Sequence, residues 1–231
     1  MFTKKKSVLI IMLVLTLLVL NSYAEETWKI TSLNWEPYSG AELTNQGNSV
    51  QKLRELLRKE GIKLIVEFYP WKRSQEKAKT KEYVGYFPAW PEEVSEGFIA
   101  SPIIDMSEIG IMNRSGICIK CENIDDLFKK YRVGIVKTYR YPKVIDDAIK
   151  KYPHNVDFSM NEVSLLKKLS MGRYPVAITD PNVMKYLSEK EGISNIELFK
   201  LIMKKELVIS LRDDEDNKKR ISLLKKLLKE N

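Results

Sequence analysis

Strand and helix patterns alternate twice along this chain, and that double alternation limits the fold more than any single motif. Trp28–Leu33 is an apolar, β-prone run. Asn48 or Ser49 can cap a helix with Val50, Leu53, Leu56 and Leu57 on one face. Asn48 and Gln51 have capping-box spacing, and Gly61 suits a C′ stop. Ile62, Leu64, Val66 and Phe68 alternate as a second strand. A short helix around Arg73–Lys79 and a third strand, Tyr83–Phe87, complete a β-α-β-α-β unit, the order of an open, largely parallel sheet.

After a connecting stretch rich in Ile and Met, Phe98 to Ile119, the pattern repeats. Tyr131–Lys137 is a strand, and Pro142–Tyr152 a helix striped by Val144, Ile145, Ala148 and Ile149. Val156–Ser159 is a short strand, and Asn161 caps a helix carrying Val163, Leu166 and Leu169. Val176–Asp180 is a strand, followed by a helix over Asn182–Lys190 that ends at Gly192. A strand-like return, Leu201–Leu211, and a helix from about Asp216 to Lys229 close the chain. The last helix has Ile221, Leu224, Leu227 and Leu228 on one side and lysines on the other. Docking on the first sheet is the ordinary use of such a stripe; lying on a membrane surface is the alternative.

The N-terminus carries an export pattern. Lys4, Lys5 and Lys6 precede an apolar run, Val8 to Leu20, and Ser22-Tyr23-Ala24 offers small residues at −3 and −1 of a cleavage site. The run is shorter than the roughly 20 residues that prefer to span a bilayer. Residues 1–24 are therefore expected to be a signal peptide cleaved after Ala24, leaving a periplasmic chain of roughly 200 residues, one large domain or two of about 100. Removing three lysines lowers the formal net charge from +8, and the remaining Lys and Arg are interleaved with Asp and Glu. That is a solvated surface, not a nucleic-acid footprint.

Cys118 and Cys121 are the two cysteines. In an oxidising compartment the pair is expected to form a small disulfide, which requires a turn at Ile119-Lys120 because an extended strand holds the Cα atoms about 10 Å apart. Free thiols are the alternative. Two Cys and the distant His154, the single histidine, fall short of a zinc site. No H-E-x-x-H, Walker or G-x-G-x-x-G motif is present, and His154 has no triad partners, so neither cofactor nor metal is expected.

Open α/β sheets bind ligands beyond the carboxyl ends of their strands. The turns there read "NWEPYSG", "YPWKRS" and "PAWPEE" in the first half, and they hold three of the four tryptophans: Trp35, Trp71 and Trp90. Each has a proline that stiffens the loop. These rings, with Tyr38, are expected to wall a cleft. Their other reading is a plug beneath the turn. In the second half the turns are "KTYRYP", "SMN" and "TDP". Thr138 and the start of the following helix are suited to an anion. Asp180 is suited to an amine or a hydroxyl, or equally to capping the helix after it. Arg73 is a candidate anion clamp, with a surface ion pair as its plainer reading.

With "NWEPYSG", "YPWKRS", "GYFPAWPEE", "GFIASP", "RVGIVKTYRYP" and "LSMGRYPVAITD" in that order, the chain resembles the bacterial extracellular solute-binding proteins of family 3, from about Lys29 to Leu228. The resemblance implies the two-lobed type II periplasmic-binding fold, each lobe an open, mostly parallel α/β sheet, joined by two crossover strands. It places lobe 1 at residues 25–108 plus 204–231 and lobe 2 at 109–203. It implies a monomer that closes on a small polar solute, such as an amino acid, and delivers it to a membrane-embedded ABC permease. A membrane receptor is the other partner considered. It adds Phe87, Ser101, Tyr139 and Arg140 to the candidate ligand-binding residues. Amino-acid binders of the family carry an Arg before the "F-S-x-P"-like segment, where this chain has Val94 in "PEEVSEGFIASP". Arg73 or Arg140 is the candidate replacement, and a different polar or cationic solute suits the aromatic rings better. Two other functions remain open: a carboxylate-dependent, dehydratase-like enzyme, for example through Glu36 and Asp180, and a ligand sensor. The enzyme reading needs a strongly perturbed carboxylate deep in the cleft.

Overall fold

A computed structural model describes residues 26–229, so the expected signal peptide and its cleavage site lie outside the described residues. Nine strands form one continuous sheet path in the order β2-β1-β3-β9-β5-β8-β6-β7, with β4 also on β9. The strands are β1 (Thr27–Ser32), β2 (Lys63–Phe68), β3 (Gly85–Ala89), β4 (Phe98–Ala100), β5 (Asp105–Arg114), β6 (Val133–Val136), β7 (Val156–Ser159), β8 (Val176–Thr179) and β9 (Ile196–Arg212). The helices are α1 (Asn48–Arg58), α2 (Trp71–Lys77), α3 (Ile124–Lys130), α4 (Lys143–Lys151), α5 (Glu162–Ser170), α6 (Pro181–Glu191) and α7 (Glu215–Lys229).

The sheet is two lobes sharing two long strands. In the first, β1 pairs in parallel with β2 and β3. In the second, β6 pairs in parallel with β7 and β8. β5 and β9 run antiparallel to each other from Asp105↔Leu207 to Arg114↔Ile196. β9 then continues onto β3 and β4, and β5 onto β8. These are the two expected crossovers, and they divide the Phe98–Ile119 stretch into β4 and β5. Gly85 permits the junction: a Cβ there would lie 2.0 Å from the Ser210 carbonyl oxygen of β9.

Most elements follow from local sequence. Gly61, at φ 69°, ends α1 as expected, with Ile62 N–H on Leu57 O and Gly61 N–H on Arg58 O. Asn161 accepts from Ser164 N–H to cap α5, and Gly192 closes α6 at φ 66°. The α7 stripe docks on the first lobe: Leu224 and Leu227 are buried, and Asn217 Nδ2 donates to Val84 O.

Four expectations are corrected, and one helix is added. The capping box at Asn48 does not form; Gly47 is the N-cap, and Gln51 bonds Glu55 and Asn45 instead. β3 sits two residues later than the apolar run suggested, because Pro88 and Ala89 remain in the strand. Trp71 opens α2 rather than standing in a loop. The helix α3, capped by Asn123, had no counterpart in the sequence reading; its buried residues Ile124, Leu127 and Phe128 are too few to show a period. Cys118 and Cys121 are free thiols. Their segment makes no turn at Ile119-Lys120: Ile119 points inward and Lys120 N–H is held by the Tyr131 hydroxyl.

Candidate functional site

The strand ends of both lobes converge on one aromatic enclosure. After β1 the chain folds back on itself, with Trp35 N–H on Ser39 O and Ser39 N–H on Trp35 O. That closure stacks the Trp35 and Tyr38 rings at 4.6 Å and 29°. The loop is fixed from below by α1. Asn48 N–H donates to Pro37 O and Ser49 N–H to Tyr38 O, so orphan donors of the helix N-terminus are satisfied by the loop. Gly47 makes this possible, since a Cβ on it would meet Tyr38 O at 2.6 Å.

Trp71 and Trp90 enter from the ends of β2 and β3. Trp90 lies edge-on to Trp35 at 6.0 Å and is anchored to the crossover strand β5 by its Nε1–H on Ser107 Oγ at 3.0 Å. Glu93 sits beneath both. Its carboxylate accepts from Trp71 Nε1 at 2.8 Å and from Trp90 N–H at 3.2 Å, and the Arg140 backbone N–H reaches it from the other lobe. Burial dominates these donors and pushes Glu93 up to about 7.

The second lobe supplies Tyr139 and Tyr141 from the turn after β6. Both rings lie against Trp90, at 5.8 and 6.1 Å. Glu162, the first residue of α5, is buried behind them. Thr179 Oγ1 donates to its Oε2 at 2.7 Å, while Oε1 has no hydrogen-bond partner and neither does Trp35 Nε1. Burial again dominates and pushes Glu162 up to about 7, with Asp180 adding to the rise and the nearby Tyr139 hydroxyl and Trp35 indole opposing it. Burial also holds both tyrosines well above the ordinary phenol range, and each feels the charge of Glu93 and of Glu162.

Tyr38 closes the enclosure. Its hydroxyl donates to Asp180 Oδ2 at 3.0 Å and accepts from Asn182 Nδ2 at 3.1 Å. Asp180 also caps α6 through Asn182 N–H and Val183 N–H and accepts from Glu108 N–H on β5. It therefore does the capping job and bridges the lobes at once. The space left between Leu33, Trp35, Trp71, Pro88, Trp90, Glu93, Tyr139 and Leu207 gives only about 10 Å³ to the centre of a water molecule. That is room for roughly one water, so anything larger requires the lobes to part.

The structure brings together Trp35, Tyr38, Trp71, Trp90, Tyr139 and Asp180. It does not bring Arg73, Phe87, Ser101 or the side chain of Arg140 to them. Arg73 is exposed on α2 and lies over the Tyr69 ring at 5.5 Å. Phe87 is fully buried in β3 and does not line the space. Ser101 Oγ donates to Pro102 O and accepts from Ile209 N–H in the crossover. Arg140 is exposed and contributes its backbone alone; Thr138 is half-buried and outside the lining set. Glu36 stands near Lys190, at 3.9 Å, rather than pairing with Asp180. Sequence reading missed Glu93, Glu162 and Tyr141. Glu93 had a signal: it stands three residues after Trp90, and its carboxylate reaches back to the Trp90 N–H as the last residue of a capping box does. Glu162 had none, because an acid in the first turn of a helix is ordinary.

No protein-family model and no curated protein matches the chain. Solved structures do. A histidine kinase sensor domain with similarity to periplasmic binding proteins aligns with TM-score 0.73 at 14% identity, covering 88% of this chain and 90% of that one. An ancestral arginine-binding protein bound to arginine gives 0.72 at 15%, with 88% and 91% covered. A structure from work on glutathione import via GshT and the cystine ABC importer TcyBC of Streptococcus mutans gives 0.72 at 13%, with 89% of each chain covered. At such identities the likeness speaks to the fold: the chain has the two-lobed periplasmic-binding fold.

Proposed function

We propose that this chain is an exported solute-binding protein that captures a small polar solute between its lobes by hinge closure and passes it to an ABC importer. The observation that carries this reading is the enclosure itself. Aromatic side chains from the strand ends of both lobes surround buried carboxyls, and Tyr38 bridges to Asp180 across the gap. A site assembled from two lobes is complete only when they meet, which is how a hinged receptor couples binding to shape. The likeness to an arginine-binding protein and to a protein of glutathione import supports solute capture and a transport partner.

Two specific observations favour other endings for the same capture step. Similarity to a histidine kinase sensor domain supports a membrane receptor as the partner. Glu93 and Glu162, both near 7, meet the condition for a carboxylate-dependent enzyme. Against the latter, Glu93 has its donors already fixed in place by Trp71, the Trp90 backbone and the Arg140 backbone.

A thermal-shift screen of the chain from Glu25 onward against amino acids, amines, sugars and organic acids tests the reading. A solute at 100 times its dissociation constant raises stability by about 2.7 kcal/mol. The solute should be recovered unchanged after incubation. A complete absence of shifts, with Trp fluorescence constant throughout, rejects solute capture; conversion of the compound moves the assignment to the enzyme.

A further inference from the structure

The charges inside the enclosure narrow the solute further. Two carboxyl side chains, Glu93 and Glu162, are each 6% exposed. No Lys or Arg side chain is among the groups that most affect either one. Arg73 and Arg140, which follow β2 and β6, hold their side chains in solvent. Lys205, the buried lysine of β9, is committed to Glu92 at 2.7 Å. A solute carboxylate placed here would face like charge with no guanidinium to receive it.

The rest of the lining points the same way. Trp35, Trp71, Trp90 and Tyr139 present ring surfaces, and rings attract cations, most strongly when water is excluded. Glu162 Oε1 makes no hydrogen bond of good geometry, and the donors near it are the Tyr139 hydroxyl and the Trp35 indole. Tyr139 and Tyr141 each feel both Glu93 and Glu162, so the aromatic wall of the second lobe stands within reach of both acids.

We infer that the solute is an aliphatic amine without a carboxylate, an ammonium directed at Glu93, which lines the space, with Glu162 adding negative charge from behind Tyr139 and Tyr141, and its methylenes lying among Trp35, Trp71, Trp90 and Tyr139. This rests on the solute-capture reading above. The upward displacement of both acids by burial agrees with it, since a bound ammonium supplies the charge partner that each lacks.

The test compares two molecules that differ by one carboxylate, 1,5-diaminopentane and L-lysine, titrated into the intact wild-type chain by calorimetry and Trp fluorescence. L-glutamate, L-arginine and glucose complete the panel. The diamine is expected to bind at least 10-fold more tightly than lysine, and Glu93→Gln and Glu162→Gln each to weaken the diamine at least 10-fold. Lysine equal to or tighter than the diamine, or binding of glutamate, arginine or glucose with the diamine silent, overturns the inference and leaves solute capture standing. No response to any of the five overturns the inference, and silence across the wider screen rejects capture as well. The wild-type comparison holds even if a Gln variant fails to fold.

Discussion

The Tyr38 hydroxyl lies 3.0 Å from Asp180 Oδ2, joining residues 142 positions apart and belonging to different lobes. Asp180 keeps three backbone donors without it, from Glu108, Asn182 and Val183. Removing the Tyr38 hydroxyl therefore breaks a contact between lobes while sparing the α6 cap. Tyr38→Phe should cost about 1–3 kcal/mol, the loss of the hydrogen bonds to Asp180 and from Asn182 in a buried setting. It should also enlarge the radius of gyration of the solute-free chain in small-angle scattering, because the stacked ring remains but the latch is gone. An unchanged radius would mean that the lobes are held by other contacts, such as the Arg140 backbone on Glu93.

Glu93 and Glu162 predict an unusual pH dependence. Both have folded-state values near 7, above the ordinary 4.5. Between those two pH values the folded chain binds more protons than the unfolded one. Their contribution to stability is thus full below about 4.5, falls as pH rises and is lost above about 7. A shift of this size corresponds to something on the order of 3 kcal/mol per group. Denaturant melts at pH 5 and pH 8 of wild type and of the Glu93→Gln, Glu162→Gln double variant should show the variant gaining on wild type at pH 8. Parallel behaviour at the two values would show that neither acid is displaced.

The free thiols give a chemical check on the Ile117–Cys121 segment. Cys118 is exposed, while partial burial raises the Cys121 thiol above its ordinary value. Reactivity follows the thiolate. Labelling of the native, unreduced chain with a maleimide should modify Cys118 first and Cys121 more slowly, with two labels at completion. A chain that takes up label only after reduction would place a disulfide there.

The alternation of period-2 and period-3.6 segments carried the fold. Both β-α-β-α-β units, the Gly61 and Gly192 stops and the Asn161 cap were legible, because each is set by residues within a few positions. The short helix α3 was not, since seven residues give barely two turns of pattern. Part of the site was equally local. Trp35, Trp71 and Trp90 announce themselves as rings at strand ends. Arg73 misled because a strand-end position fixes the backbone, while helix α2 sets where the side chain points, here over Tyr69. The buried acids were hidden for the opposite reason. Glu162 becomes special only when Tyr139, Thr179 and Trp35 gather around it from distant parts of the chain.

Trp71 offers the closest probe of the Glu93 charge. Its Nε1–H donates to Glu93 Oε1 at 2.8 Å, and its ring meets Tyr86 edge-on at 5.5 Å. Trp71→Phe keeps an aromatic surface beside Tyr86 and deletes the donor. At pH 8, where Glu93 is ionised, losing a donor to a buried carboxylate should cost about 1.5–3 kcal/mol beyond the cost of the smaller ring. At pH 5, where Glu93 is protonated, its oxygen still accepts but as a neutral group, so beyond the packing loss only about 0.5–1.5 kcal/mol should remain. The displacement of Glu93 should also grow, because one of the groups holding it down is removed. Equal destabilisation at both pH values would show that Trp71 serves Glu93 by shape alone and that the carboxyl stays uncharged throughout.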